Sequence, residues 1–205
     1  STTNELLYYI PAGQYGKEGV LALLEQHPEI KFVSLVGIDL AGNDTDEKIP
    51  MSAFFDDYES FFEGRAVQTD GSSVVLTNIA TLNNARVDMW GDPSVNWFVD
   101  YNYENIDPVT GLPTGTLRIP AFLMHNYRYV DSRSILKRSC DYVRAELLAL
   151  IKEHGLPGMP HVKADEVVDI IFTSATELEF WVKTPSRTVT KKELSVSQKL
   201  QEQYW

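Results

Sequence analysis

One cysteine, Cys140, stands in 205 residues. It leaves no internal disulfide framework and no cysteine-based zinc site. No apolar run approaches the roughly 18–20 residues that a membrane span needs. The first residues hold no basic stretch followed by an apolar core, so no signal peptide is read and the cytoplasm is the expected compartment. Cations are scarce too: 18 Lys and Arg stand against 29 Asp and Glu, a formal net charge of −11. Nucleic-acid binding needs clustered Lys and Arg facing phosphates, and this balance disfavours it. If the substrates are anions, metal ions and local arginines must offset the acidic surface.

What is present is ordinary for a soluble globular chain, with 43% apolar and 23% charged residues. The length suits one large domain or two small ones. Leu6 to Ile10 reads as a short strand ended by Pro11 and Gly13. Lys17 to Gln26 reads as a helix, with Val20, Leu21, Leu23 and Leu24 as its apolar stripe and Pro28 as its stop. Ile30 to Leu40 is the clearest early strand, followed by a turn at residues 41–44. Ile49 and Met51 fit a return strand. Ser52 is a candidate cap for a helix running to Phe62 and closed by Gly64.

Thr69-Asp70-Gly71-Ser72-Ser73 is a polar turn between apolar segments, since Gly accepts positive φ and Asp bonds to nearby backbone. Residues 87–93 read as an acidic, turn-rich piece, Trp97 to Tyr101 as a strand, and residues 107–115 as a hairpin loop before the apolar run from Arg118 to Met124. Asp131 to His154 is the longest helical signal, capped by Asp131 or Ser132 and stopped by Gly155. After Pro185 the tail turns polar. The sum is an α+β chain. Its first module ends near residue 125, and the unit that follows has too few elements to bury a sheet face.

Two stretches close that second unit. Val167 to Phe172 and Thr176 to Val182 both alternate in the manner of half-buried strands. On a strand, Glu177 and Glu179 share one face, roughly 6.5–7 Å apart at ~3.3 Å per residue. Leu178, Phe180 and Val182 take the other. Paired carboxylates repel unless a cation lies beside them, and oxygen donors suit Mg²⁺ or Mn²⁺. The alternative is a solvated strand face with two ordinary glutamates.

Four pieces, taken in order, resemble the N-terminal part of the glutamine synthetase family. They are the strand from Lys31 to Gly42 with Asp39 and Gly42, the loop Asp70-Gly71-Ser72-Ser73, the helix start Asp131-Ser132-Arg133-Ser134-Ile135-Leu136-Lys137-Arg138, and Glu177-Leu178-Glu179-Phe180. Thr69 stands where the family usually has an aromatic residue, and Ser132 where it has proline. The resemblance implies a β-grasp-like N-terminal domain over residues 1–125 and the incomplete start of a catalytic domain over 126–205. It implies ATP-dependent ligation of ammonium to glutamate through γ-glutamyl phosphate, in a homo-oligomer with sites between subunits. Glu177 and Glu179 would hold Mg²⁺ or Mn²⁺, Glu177 nearer the nucleotide phosphates and Glu179 nearer glutamate. Asp70 would bind ammonium in a neighbour's site and take its proton, on a loop shaped by Gly71, Ser72 and Ser73. Arg133 would anchor the helix start.

The family's later motifs, which carry the ATP, glutamate and phosphate contacts, have no counterpart here. The expectation is therefore an N-terminal portion of a longer synthetase, inactive alone. His125, His154 and His161 read as surface or structural residues, and Cys140 as a helix residue facing the interior. Two other readings remain: a γ-glutamyl ligase for an organic amine, and a non-catalytic β-grasp assembly module.

Overall fold

A computed structural model describes residues 5–75 and 85–182, so the tail beyond Pro185 lies outside the described residues. Among the described residues eight strands and three α-helices follow one another: β1 (Tyr9–Ile10), α1 (Lys17–Glu25), β2 (Ile30–Ile38), β3 (Asp44–Pro50), α2 (Met51–Asp56), β4 (Val67–Asp70), β5 (Arg86–Gly91), β6 (Trp97–Ile106), β7 (Pro113–His125), β8 (Arg128–Tyr129) and α3 (Ser132–His154). The chain divides into two compact units, residues 1–170 and 171–205. All the elements just named belong to the first.

The architecture is mixed α/β, with a largely antiparallel sheet and few helices. The sheet runs β1-β6-β7-β2-β3, and β4 joins through β5, which pairs with β7. Only β2 and β7 run parallel among the strand pairs of the described residues. The 13-residue β7 is the spine. Its first part lies between β6 and β2, and its last residues pair with β5 and β8.

Alternation along β2 and β7 sends Val33, Leu35, Leu117 and Ile119 inward, all fully buried. Val87 and Met89 of β5, Val20 and Leu24 of α1 and Phe54 of α2 complete one apolar cluster. Phe54 packs edge-on against Phe61, and Phe62 stacks on Trp97 with ring centroids 5.3 Å apart. Burying side chains of this size contributes about 1.5–3 kcal/mol each, which is the main force holding α1 and α2 on the sheet.

Several expectations change in detail. The helix expected from Ser52 to Phe62 starts one residue earlier, after Pro50, and no side chain caps it. It breaks at Asp57, and Tyr58–Phe61 continues as a 3₁₀ turn. Residues 87–93 were expected to be turn-rich, yet they form most of β5 and its exit. Val87 and Met89 are inward there, while Asp88 turns out and pairs with Arg86. The expected strands over 167–172 and 176–182 do not form, since the residues there have no regular secondary structure. A strand needs a partner for its backbone N–H and C=O groups. Among the described residues none of the strand pairings reaches this segment.

Candidate functional site

The Asp-Gly-Ser-Ser loop is built from both sides. β4 alternates, with Val67 and Thr69 buried and Gln68 and Asp70 exposed, and it pairs with β5 through Asp70 and Arg86. The chain then makes one 3₁₀ turn over Gly71–Ser73. Gly71 is buried and its N–H donates to the Ala85 carbonyl at 2.7 Å. The Asp70 Oδ1 accepts from the Ser72 N–H at 2.8 Å. Local bonding of this kind is how Asp sets a turn. The Ser72 N–H and then its hydroxyl hold the Asp70 carboxyl below the ordinary carboxylate range, against a smaller opposing effect of burial. Asp70 is thus ionised at neutral pH, faces solvent, and has no ion-pair partner among the described residues.

The far end of the loop is held by Asp39, just beyond β2 and fully buried. Its Oδ1 accepts from the N–H groups of Ala41 and Asn43 at 2.9 Å each. Its Oδ2 accepts from Asn43 Nδ2 at 3.2 Å and from the Val75 N–H at 3.0 Å. Leu40 N–H donates back to the Val75 carbonyl at 3.2 Å. Burial works to raise the Asp39 pKa, but the donors from Asn43, Val75 and Ala41 outweigh it, and the net shift is downward. One buried carboxylate therefore fixes both the turn after β2 and the exit of the Asp70 loop.

The third motif is tied to the same sheet. Asp131 is fully buried, caps α3 by accepting from Ser134 N–H at 2.8 Å, and accepts from the Leu123 N–H of β7 at 3.0 Å. Arg133 donates from Nη2 to Asp92 Oδ2 at 2.6 Å and lies over the Phe122 ring. As expected, it anchors the helix start. Cys140 is half-buried on α3. His125 Nδ1 donates to the Arg86 carbonyl at 2.9 Å, a structural contact.

Glu177 and Glu179 lie in the second compact unit, exposed and without regular secondary structure. Among the described residues no three or more His, Cys, Asp or Glu side chains gather as metal ligands. The donor chemistry of the glutamate pair still fits a hard cation, because carboxylate oxygens are what Mg²⁺ and Mn²⁺ take. Two carboxylates are too few to complete such a site, and its other ligands would come from elsewhere.

Sequence reasoning missed a buried His–Glu hydrogen bond. His27 Nδ1 meets Glu29 Oε1 at 2.9 Å, with both side chains almost wholly buried. The Glu29 carbonyl accepts from Gly115 N–H at 2.9 Å, which joins the residue just before β2 to the start of β7. The signal was a His and a Glu beside Pro28, where exposed residues would be the default.

No protein-family model matches the chain, and no curated protein matches it. Solved structures are similar to it, among them the following two. One is a cryo-EM structure of glutamine synthetase from Plasmodium falciparum, 15% identical, with a TM-score of 0.44 over 65% of this chain and 24% of that one. The other is a GmaS/ADP complex, 15% identical, with a TM-score of 0.32 over 54% of this chain and 21% of that one. The chain thus spans about a quarter of the first structure's length and a fifth of the second's. No helix among the described residues is long and apolar enough to cross a membrane.

Proposed function

We propose that this chain supplies part of the active site of an ATP-dependent ligase of the glutamine synthetase kind, joining ammonium to glutamate. The observation that supports the reading best is the Asp70 loop: an ionised, solvent-facing carboxylate on a turn braced by Asp39 and Ala85. It is joined by three further motifs in the family's order, around Asp39, Asp131 and Glu177. In this reading residues 1–125 form a β-grasp-like domain and residues from 126 begin a catalytic domain.

The chemistry follows from the residue types. Glutamate's γ-carboxylate is a poor acyl donor, and ATP converts it to γ-glutamyl phosphate. Asp70 attracts the ammonium cation and accepts one proton at a carboxylate oxygen, leaving neutral ammonia to attack the γ-carbonyl carbon, where the C–N bond forms as the C–O bond to phosphate breaks and phosphate leaves. Its lowered pKa favours cation binding over strong basicity, so electrostatic capture is its larger part. Gly71, Ser72 and Ser73 hold that carboxylate in place. Glu177 and Glu179 would hold Mg²⁺ or Mn²⁺, which when bound offsets charge on the transferring phosphoryl group. The site would lie between subunits of a homo-oligomer. The same Asp70 loop would serve a γ-glutamyl ligase acting on an organic amine, since protonated amines carry the same charge.

The test is ATP- and Mn²⁺-dependent γ-glutamyl transfer by the protein that carries this sequence, wild type beside Asp70→Asn and Glu179→Ala. Removing the charge at Asp70 should lower kcat/KM for ammonium by about 10²–10⁴-fold, the usual contribution of a positioned acid or base. Glu179→Ala should also abolish the Mn²⁺ dependence. Activity only with organic amines would move the protein to the other ligase branch. Full ammonium-dependent activity in Asp70→Asn would refute the role assigned to that residue.

A further inference from the structure

The two faces of the sheet differ. Opposite the apolar cluster, alternation puts Phe32 and Ser34 of β2, Lys48 of β3, Asp100 and Asn102 of β6, and Thr116 and Arg118 of β7 on one outer face. Register brings them together: Ser34 pairs with Lys48 on one side and with Arg118 on the other. Thr116 pairs with Phe32 on one side and with Asp100 on the other. Across this face runs a groove of about 340 Å³, lined among others by Phe32, Lys48, Asp100, Asn102, Thr116 and Arg118. That volume is within the range of small-molecule sites.

The charges in the groove are unusual for this chain. The whole sequence has a net charge of −11, yet on this face two cations, Lys48 and Arg118, stand against two carboxylates, Asp100 in the groove and Asp46 beside Arg118, which also accepts from the Ser34 hydroxyl. Lys48 Nζ rests 4.4 Å from the Phe32 ring centroid and pairs with no carboxylate among the described residues. Arg118 is braced from both sides: Nε donates to Asp100 Oδ2 at 3.2 Å and Nη1 to Asp46 Oδ2 at 2.9 Å. Its Nη2 makes no hydrogen bond among the described residues. Asn102 spends its Oδ1 on the Glu104 N–H at 3.1 Å, which leaves its amide nitrogen to donate. Strands two places apart in a sheet are separated by roughly 9.6 Å. Both long side chains can therefore reach one group lying over Ser34.

Donors converge here with little left to accept from them, and such a set is complementary to anionic oxygen. We propose that this groove binds a small molecule bearing an oxyanion, phosphate or carboxylate, held by Lys48 and the free edge of Arg118. The braced guanidinium supplies a fixed point, and Lys48 supplies a mobile one that exchanges its ring contact for the anion. Asp100, already engaged by Arg118, sets the entry side and disfavours ligands that carry charge on that flank.

The test is a titration of the chain with pyrophosphate and, separately, with citrate at fixed ionic strength, read by amide chemical shifts. Wild type is compared with Lys48→Ala and Asn102→Ala. Lys48 makes no ion pair and loses only its contact with the Phe32 ring, so Lys48→Ala should lower the thermal midpoint by no more than about 2–4 °C while weakening binding about tenfold, a charge-assisted hydrogen bond's worth. Asn102→Ala should weaken it less. Shifts should centre on residues 32–34, 46–48, 100–102 and 116–118. Tighter binding of pyrophosphate would identify a phosphate ligand, and tighter binding of citrate a carboxylate; either supports the proposal. No saturation with either anion, or equal saturation in wild type and Lys48→Ala, would overturn it.

Discussion

Replacing Asp39 by alanine should loosen the Asp70 loop although the two residues are not in contact. The carboxylate accepts four hydrogen bonds, three of them from backbone N–H groups of Ala41, Asn43 and Val75. A hydrogen bond to a charged acceptor contributes about 1.5–3 kcal/mol, and a buried donor left unpaired costs a similar amount. The four share one carboxylate, and residues 41–43 are open to water, so their sum overstates the loss. A net cost of about 3–4 kcal/mol follows. For a chain of this size each kcal/mol moves Tm by about 2–4 °C, so Asp39→Ala should melt roughly 10 °C below wild type. Asp39→Asn keeps one acceptor oxygen and should lose about half as much.

The assay is thermal and urea unfolding by circular dichroism, with hydrogen exchange followed at the Val75 and Asn43 amides. The pH dependence has a defined sign. The folded pKa of Asp39 is depressed, so its contribution is complete above the unfolded value of about 3.9 and is lost as pH falls through the folded pKa. Wild type and Asp39→Ala should therefore converge in stability below about pH 3.9. A variant within about 0.5 kcal/mol of wild type at neutral pH, with Val75 protection unchanged, would refute the brace.

Two further substitutions probe other points of the frame. Gly64 has φ of +67°, and a Cβ there would meet Trp90 Nε1 at 2.0 Å. Gly64→Ala should cost more than about 3 kcal/mol in urea unfolding and shift the tryptophan fluorescence, through backbone strain and a displaced indole; a loss under about 1 kcal/mol would contradict the packing. Asp131→Ala removes the α3 cap and the bond to Leu123 N–H together. It should destabilise the chain by about 2–4 kcal/mol and reduce its helical circular dichroism, whereas Asp131→Asn should retain part of both.

The sequence was most legible where one local rule decides the outcome. The alternation of β2, the Asp-Gly turn, the Asp131 cap and the Gly155 stop all appear where the residues place them. β5 was hidden because Gly91 and Pro93 are turn signals, and because Asp88 interrupts an apolar run. Yet Asp88 between the inward Val87 and Met89 is what a strand with one wet face carries. The role of Asp39 was invisible for a different reason. Its partner lies on another segment, since Val75 is 36 residues from Asp39. No periodicity reports a contact of that range.

The two halves of the proposed site therefore rest on different physics. Asp70 is positioned by bonds within residues 39–85 of one sheet, so its geometry is complete in the first compact unit. The glutamate pair depends on an environment. Alternation in Thr176 to Val182 defines two faces only when neighbouring strands accept its backbone groups and cover its apolar side. Here Leu178 is 83% exposed and Phe180 79%. In the first unit, α3 shows the same feature, with Leu136, Tyr142 and Leu150 exposed along a helix that buries only Ser134. Such side chains are costly in water, at about 25 cal/mol per Å² of apolar surface. Trp181 interrupts the alternation of Leu178, Phe180 and Val182, and among the described residues no strand pairs with this segment, so nothing here fixes the spacing of Glu177 and Glu179.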